Sequence, residues 1–133
     1  MTDYAKPLPA INDLNRPFWE GAKQHKLLIQ KCRDCGHLML PPLPNCPDCL
    51  STELEWVKSA GRGQVFSFIT YHQAWLAGFR EDLPYNVAII ELNEGVRFIS
   101  NVTGPPESLS VGMPVSVTFD DVTNEVSIPK FAP

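Results

Sequence analysis

Hydrophobic and polar residues alternate along much of the second half of the chain, a pattern typical of β-strands with one buried face. The clearest stretch is 64–71, where apolar residues stand among Ser67 and Thr70. Shorter runs bounded by turn residues follow at 86–92, 96–102, 115–119 and 126–129. About five strands and no helix from residue 55 onward predict a small closed or nearly closed antiparallel barrel. The chain is therefore expected to be mainly β.

The first half of the chain begins differently. Residues 1–14 are rich in proline and show no periodicity, so we expect an extended arm. Asn15 and Pro17 favour a helix start and predict a short helix over about 16–24. A narrow apolar face of this helix is formed by Phe18, Trp19 and Ala22. The 13 prolines of the chain argue against a helical bundle elsewhere.

The cysteines form two Cys-x-x-Cys pairs separated by ten residues: Cys32, Cys35, Cys46 and Cys49. Short predicted strands at 27–31, 37–40 and 54–59 flank these pairs. Four thiolates from two tight turns can surround one ion tetrahedrally, which leaves no open coordination position for catalysis. We expect one structural Zn²⁺ per chain, with zinc favoured over iron at this spacing.

Other interpretations of the cysteines are two disulfides or a redox-active pair. A cytosolic setting disfavours disulfides, and a thioredoxin-like pair would start a helix in a βαβ unit, which the pattern lacks. His37 is close enough to be a ligand, but four thiolates already complete the site. We therefore interpret His37 as a strand residue. The chain is thus divided into an arm at 1–14, a helix and ribbon at 15–54, and a barrel at 55–133.

Residues 72–85 interrupt the strand pattern with an apolar loop. Its large apolar side chains are Trp75, Leu76, Phe79, Leu83 and Tyr85. Such a concentration outside any strand predicts a partner-contact surface at Trp75, Phe79 and Tyr85. The alternative is that the loop folds back over an open end of the barrel.

The charge and the start of the chain narrow the classes of function. The net charge of −4 resides in 61–133, which has four basic and eight acidic residues. This sign disfavours a surface that holds nucleic acid along its length. Residues 1–10 lack the pattern of a secretory signal, and no apolar stretch approaches the roughly 20 residues of a membrane span. We expect a cytoplasmic protein without a membrane span.

Seven short motifs follow one another over about residues 15–131. They are Pro17-Phe18-Trp19-Glu20-Gly21, Cys32-Arg33-Asp34-Cys35-Gly36, Cys46-Pro47-Asp48-Cys49, Gly61-Arg62-Gly63-Gln64-Val65, Leu92-Asn93-Glu94-Gly95, Val111-Gly112-Met113-Pro114-Val115 and Pro129-Lys130-Phe131. Their order resembles the domains of unknown function that join a rubredoxin-like zinc ribbon to an acyl-CoA-associated OB fold. The resemblance implies a five-stranded OB-fold barrel and an accessory subunit that helps a thiolase-like or hydratase-like enzyme to hold its CoA ester. It supplies no catalytic residue.

A CoA ester needs cations for its phosphate groups, since charge-assisted hydrogen bonds hold such groups best. We expect Arg62, Arg80 and Lys130 to supply them, with Phe131 placed to cover the adenine ring. Arg62 stands between two glycines, where the backbone can approach a ligand closely. Alternatively, these cations are surface charges, and the partner enzyme makes the phosphate contacts.

Enzyme motifs are missing from the sequence, which has no nucleophile elbow, phosphate loop or paired-histidine motif. We expect the chain by itself to be non-catalytic, with His72 a surface or partner-contact residue. A second class of function is a single-stranded nucleic-acid-binding ribbon and barrel, in which Phe66, Phe68 and Tyr71 would stack on bases. However, Phe66 and Phe68 share one predicted strand face and equally suit the core. The acidic second half also lacks a basic groove.

Overall fold

A computed structural model of the chain describes Tyr4 and residues 6–133. The helix α1 comprises Arg16–Lys23. The strands are β1 (Leu28–Cys32), β2 (Leu38–Met39), β3 (Leu54–Lys58), β4 (Arg62–Tyr71), β5 (Tyr85–Leu92), β6 (Arg97–Ser100), β7 (Pro114–Asp121) and β8 (Ser127–Ala132). Two 3-10 helices, Ala77–Asp82 and Pro106–Ser108, interrupt the second half, where no helix was expected. None of the helices in the described part of the chain is long and apolar enough to cross a bilayer.

The predicted arm falls partly outside the described residues, at 1–3 and 5. Its described positions belong to no helix or strand. The predicted helix is confirmed, with Pro17 in its first turn and Phe18 and Ala22 buried. Asn15, however, does not cap it, because its Oδ1 accepts a hydrogen bond from the Asn12 N–H at 2.8 Å. Asn12 Oδ1 accepts from the Asn15 N–H in return, at 2.9 Å.

The first sheet is a three-stranded antiparallel ribbon of order β2-β1-β3. Strand β3 pairs with β1 along its whole length, from Leu54 opposite Cys32 to Lys58 opposite Leu28. The domain boundary expected at residue 55 therefore falls inside a ribbon strand. Alternation predicted this strand but could not predict its partner, because pairing depends on distant residues.

The proline-rich loop between the cysteine pairs is fixed by one buried side chain. In the run 41–44, Leu43 alone has a backbone N–H, since the other three residues are prolines. That N–H donates to Gln30 Oε1 at 2.7 Å, and Gln30 Nε2 donates to the Leu43 carbonyl at 3.1 Å. Both polar ends of the Gln30 amide are thus satisfied, and the loop is tied to β1.

The second sheet forms the barrel, with strand order β6-β5-β4-β7-β8 and antiparallel neighbours throughout. Beyond β6, Val102 forms a parallel bridge to Phe131 of β8. The Phe131 N–H donates to the Asn101 carbonyl at 2.9 Å, and the Thr103 N–H donates to the Phe131 carbonyl at 2.8 Å. The two outer strands therefore meet, which confirms the expected five-stranded, nearly closed OB-fold barrel.

The core fills this barrel and extends under α1. Fully buried side chains from three strands, β4, β5 and β8, form its centre: Val65, Ala88, Ile90 and Phe131. The Phe18 ring of α1 lies 5.9 Å from that of Phe98, which in turn lies 6.2 Å from that of Phe131. The helix thus packs its apolar face on the barrel through a chain of aromatic contacts.

A bulge in β4 separates two aromatic residues that were predicted to share a face. The register with β5 shifts between Val65 and Ser67. Phe68 packs against the core, whereas Phe66 is 41% exposed. The Arg97 guanidinium lies over the Phe66 ring, 3.8 Å from its centroid. The expectation of one common face was wrong, because an extra residue in a strand reverses the side-chain alternation.

Candidate functional site

Two tight turns, which we call the first knuckle (32–37) and the second knuckle (46–51), bring the predicted metal ligands together. The four cysteine Sγ atoms all lie within 4.8 Å of one another. The Cys32–Cys49 and Cys35–Cys46 sulfur pairs are each 3.5 Å apart. Metal–sulfur bonds of about 2.3 Å in a tetrahedron require sulfurs about 3.8 Å apart. The donor set therefore fits one tetrahedral metal ion.

The two knuckles have the same backbone hydrogen bonds. The Gly36 N–H donates to the Cys32 carbonyl and the Leu50 N–H to the Cys46 carbonyl, both at 2.9 Å. Both turns need a residue with positive φ, which is 78° at Gly36 and 63° at Leu50. Glycine adopts this conformation freely, whereas Leu50 does so against its usual preference. The second knuckle thus reproduces the first without its glycine.

The thiol groups of the knuckles differ in acidity. Burial raises the pKa of Cys32, but backbone N–H groups of Cys35 and Asp34 and the adjacent sulfurs lower the pKa to about 7. At Cys35 the His37 N–H lowers the pKa, yet contact with the Cys46 sulfur and burial raise the pKa to about 12. The Cys32 thiolate thus forms readily near neutral pH, whereas ionising Cys35 requires a nearby cation.

The alternatives for the cysteines do not agree with these positions. All four are free thiols, and 3.5 Å between sulfurs is well beyond the roughly 2.05 Å of a disulfide bond. His37 lies just before β2 rather than in it. Its Nδ1 is 3.0 Å from Asp48 Oδ2, so the ring contacts a carboxylate and is not part of the four-sulfur cluster.

The three predicted partner-contact residues lie together in one groove. This groove has a volume of about 360 Å³, and its large side chains are Tyr71, Trp75, Phe79, Tyr85, Val87 and Ile99. The Tyr85 ring stacks on those of Tyr71 and Phe79, each at 5.1 Å between centroids. Trp75, by contrast, is 78% exposed. We call this surface the aromatic groove.

The segment that carries the groove is partly folded back on the barrel. Phe79 belongs to the 3-10 helix Ala77–Asp82 and is half-buried, whereas Trp75 and Leu76 just before it are exposed. Ile69 and Ile99 extend the exposed apolar surface over the outer face of the sheet. Phe79 thus packs on Tyr85 at the start of β5, whereas Trp75 remains in solvent.

A polar cavity of about 490 Å³ adjoins the aromatic groove, and Phe79, Tyr85 and Asn101 line both. Lys6 of the arm enters this cavity, forms an ion pair with Asp82 and places its Nζ 5.5 Å from the Phe79 ring centroid. No periodicity in the arm indicated this contact. It arises from tertiary packing and was missed for that reason.

The predicted CoA cations do not form one cluster. Arg62 begins β4, whose 10 residues span about 30 Å, and Arg80 lies in the segment beyond its other end. Neither has a side-chain ion pair within the described part of the chain, whereas Lys130 Nζ lies 2.9 Å from Asp120 Oδ2. Lys130 lines the polar cavity, and Arg80 belongs to the 3-10 helix that supplies Phe79 and Asp82 to it.

Two expectations about the CoA contacts require correction. The side chain of Phe131 is completely buried in the core and therefore cannot cover an adenine ring. The glycines beside Arg62 are explained by packing within the chain. A Cβ at Gly63 would lie 2.3 Å from the Glu91 carbonyl oxygen, and one at Gly61 would lie 2.4 Å from a methyl group of Val117.

A four-cysteine ribbon followed by a five-stranded OB-fold barrel defines a class of small metal-binding β proteins. Family comparison agrees with both parts. Residues 19–55 match the model described as the ChsH2 rubredoxin-like zinc ribbon domain, and residues 56–120 match the ChsH2 C-terminal OB-fold domain. The chain belongs to this ChsH2 family.

Individual relatives have names from acyl-CoA metabolism. The chain is 41% identical over 129 residues to a "probable enoyl-CoA hydratase alpha subunit" of Thermomonospora curvata, covering 96% of this chain and 40% of the relative. It is 33% identical over 92 residues to a benzoylsuccinyl-CoA thiolase subunit, BbsA, of Thauera aromatica, covering 69% and 62%. The chain thus spans less than two thirds of the length of either relative.

A solved structure extends the similarity to three dimensions. A chain of an Ltp2–ChsH2(DUF35) aldolase has a TM-score of 0.86 to this chain at 41% sequence identity. The match covers 95% of this chain and 98% of that one. The ribbon and the barrel therefore have the same arrangement in both proteins.

Proposed function

We propose that this protein is a zinc-binding accessory subunit of a thiolase-like or hydratase-like acyl-CoA enzyme, which binds its partner through the aromatic groove and leaves the chemistry to it. The names of the relatives support the class of partner. The observation that carries the proposal is the convergence of Trp75, Phe79 and Tyr85 on one exposed groove.

The aromatic groove has the properties of a protein-binding surface. Tryptophan and tyrosine are the residues most enriched among those that dominate binding free energy. The rings of Tyr71, Phe79 and Tyr85 hold one another in place, so little side-chain freedom remains to be lost on association. The exposed Trp75 beside them can then enter a cavity of the partner.

The metal centre serves the fold in this proposal. One Zn²⁺ per chain would be bound by Cys32, Cys35, Cys46 and Cys49, and four protein ligands leave no position for a reactive water. Bound zinc supplies folding free energy to a ribbon whose hydrophobic core is small. Free thiols persist in a reducing compartment, so we expect the protein to act in the cytoplasm.

The CoA ester would lie partly on this subunit. We propose that Arg80 and Lys130 contact its phosphate groups at the polar cavity, next to the aromatic groove. Arg62 is too far away to share that ligand and would make a separate contact. The two aspartates of the cavity, Asp82 and Asp120, repel phosphate, so the partner enzyme must supply further cations.

Reconstitution tests the proposed function. The protein would be purified by affinity from its native host, its partner identified by mass spectrometry, and acyl-CoA turnover measured for the chain, the partner and the mixture. We expect turnover by the partner or the mixture only. Turnover by the purified chain alone, lost on His72→Ala, would contradict the accessory role.

A further inference from the structure

The two knuckles share more than their cysteines. Each has the pattern Cys-x-Asp-Cys-x followed by a hydrogen-bond donor, which is His37 in the first knuckle and Ser51 in the second. The N–H of each leading cysteine, Cys32 and Cys46, donates to the carbonyl of that sixth residue at 2.9 Å. The backbones are therefore equivalent position by position, as in two halves related by an approximate twofold axis.

Each knuckle reaches across to the other through its aspartate. Ser51 Oγ donates to Asp34 Oδ2 at 2.5 Å, and His37 Nδ1 lies 3.0 Å from Asp48 Oδ2. The third residue of each knuckle thus contacts the sixth residue of the other. We call these two contacts the cross-knuckle bonds.

Electrostatics alone does not account for carboxylates at these positions. Four thiolates around a divalent cation carry net negative charge, so adjacent carboxylates repel the ionised ligands. Neutral or cationic side chains would favour the thiolates more. The geometric contribution of Asp34 and Asp48 is different, because each one ties its knuckle to the opposite one.

The relative orientation of the two cysteine pairs must be fixed, because the knuckles belong to separate segments of the chain. Each cysteine pair lies within one tight turn. The bases of the two turns are joined where Cys32 pairs with Leu54 and where the Arg33 N–H donates to the Glu53 carbonyl at 2.8 Å. Without the cross-knuckle bonds, the two pairs of sulfurs could turn relative to each other about that junction before a metal binds. Groups that orient the ligands of a metal, without binding it themselves, typically change its affinity by about 10- to 100-fold.

We infer that Asp34 and Asp48 are positioning residues of the metal site, which hold the two sulfur pairs face to face through the cross-knuckle bonds and slow the loss of the metal. The inference rests on the proposed zinc binding. It assigns a role to side chains that do not contact the ion.

The test uses the full chain loaded with Zn²⁺ and measures the rate of zinc transfer to a chromogenic chelator. Asp34→Ala and Asp48→Ala should each release zinc about 10-fold faster than the parent. Asp34→Asn keeps an oxygen that can accept from Ser51 and should release zinc no faster than the parent. Glu53→Ala, which removes an exposed acid between the second knuckle and β3, is the matched control and should leave the rate unchanged.

A double-mutant cycle separates the cross-knuckle bond from general destabilisation. Ser51→Ala should speed release at least as much as Asp34→Ala does, because it removes the same cross-knuckle bond and also the acceptor of the Glu53 N–H, 3.0 Å away. The double variant should release zinc no faster than Ser51→Ala alone. Cobalt-loaded variants should keep a tetrahedral absorption spectrum, showing that all four sulfurs still bind.

The outcomes distinguish this inference from the zinc proposal. Release from both alanine variants at the parent rate or more slowly would overturn the inference while leaving the zinc site intact, since carboxylate repulsion would then dominate. Equal acceleration by Asp34→Ala, Asp34→Asn and the control would also overturn it. A parent chain that binds no zinc would overturn both.

Discussion

His25 Nε2 lies 2.9 Å from Asp121 Oδ1, and this contact joins the second residue after the end of α1 to the last residue of β7. The His25 ring also stacks on Phe119, with 5.1 Å between centroids and 5° between planes. Ser127 Oγ of β8 donates a hydrogen bond to the same Asp121 oxygen. The helix and two barrel strands thus meet at one carboxylate.

This carboxylate predicts a pH dependence of stability. The Ser127 hydrogen bond and then the His25 contact hold the pKa of Asp121 below its usual 3.8. A lowered folded-state pKa gives stability that is present above the unfolded value and is lost as the pH falls through the folded value. The melting temperature of the parent should therefore exceed that of Asp121→Asn at about pH 6, with the gap narrowing as the pH falls below about 4.

Loss of metal at low pH affects parent and variant alike, because both carry the same cysteines. It therefore does not contribute to the difference between their melting temperatures. Glu107→Gln is the control, since Glu107 is exposed and has no ion pair within the described residues. A gap that stays constant at all pH values would show that Asp121 does not stabilise the fold through its charge.

Loss of one sulfur ligand should unfold the ribbon. Structural zinc binds finger-like peptides with an apparent free energy of about 10–16 kcal/mol near neutral pH. Cys46→Ser should therefore release the metal and unfold the ribbon, residues 28–58. Elemental analysis and hydrogen exchange would measure this. One zinc per parent chain is expected, and a Cys46→Ser protein that melts like its parent would argue against a structural metal.

The aromatic groove should contribute to partner binding without contributing much to stability. Trp75→Ser should change the unfolding free energy by less than about 0.5 kcal/mol, because the side chain is largely in solvent. Partner affinity should fall by about 2 kcal/mol, roughly 30-fold, if Trp75 enters a cavity of the partner. Phe79→Ser should weaken binding too, with some loss of stability since Phe79 stacks on Tyr85.

Val111→Ser provides the matched control for the groove. Val111 is 67% exposed and precedes β7 next to the opposite end of β4, where the Gly112 N–H donates to the Val65 carbonyl. It should leave partner affinity unchanged when measured by calorimetry. Equal losses of affinity from Val111→Ser and Trp75→Ser would place the interface elsewhere.

The proposed CoA contacts predict which cations of this chain hold the phosphate groups. In the complex with the partner enzyme, Arg80→Ala and Lys130→Ala should each weaken CoA binding about 10-fold, the size expected for loss of a charge-assisted hydrogen bond. Arg62→Ala should act independently of both. Titration calorimetry would measure these affinities, and unchanged values in all three variants would assign the phosphate contacts to the partner alone.

The close approach at Gly63 predicts a large effect on stability. A Cβ there would clash with backbone atoms of Glu91 and Leu92, which cannot move without disturbing β5. Gly63→Ala should therefore cost about 1–3 kcal/mol. Gly21→Ala should cost less, because its Cβ would lie 2.7 Å from the Leu28 side chain and 3.2 Å from the Lys26 carbonyl oxygen, both farther than the closest contact at Gly63, and because alanine favours the helix. Chemical denaturation would rank the two variants.

Patterns among residues close together in the sequence were sufficient to predict much of this structure. The spacing of the cysteines predicted that their four sulfurs lie together, and Pro17 after Asn15 predicted the start of α1. Alternation predicted the barrel strands, because each has one buried and one exposed face. These features depend on residues close together in the sequence.

Non-local contacts account for what the sequence did not indicate. Asn15 was expected to cap the helix, yet its side-chain oxygen accepts from the Asn12 N–H instead, and Asn12 returns the same hydrogen bond. A phenylalanine near the end of a strand can cover a ligand or belong to the core. Phe131 belongs to the core because the barrel closes at its bridge to Val102. Lys6 reaches the polar cavity because the arm folds back, which no periodic pattern records.

The position of β8 sets the order in which the protein can assemble on a ribosome. Ribbon pairing is complete once Lys58 has emerged, so the metal can bind early in synthesis. Strand β8, by contrast, pairs with β7, closes the barrel at Val102 and packs against α1. Until 127–132 are made, the barrel stays open beside β7, and α1 lacks one of the strands on which it packs. Domains dominated by such distant pairings fold slowly, so the nascent barrel depends on its final strand to leave the aggregation-prone state.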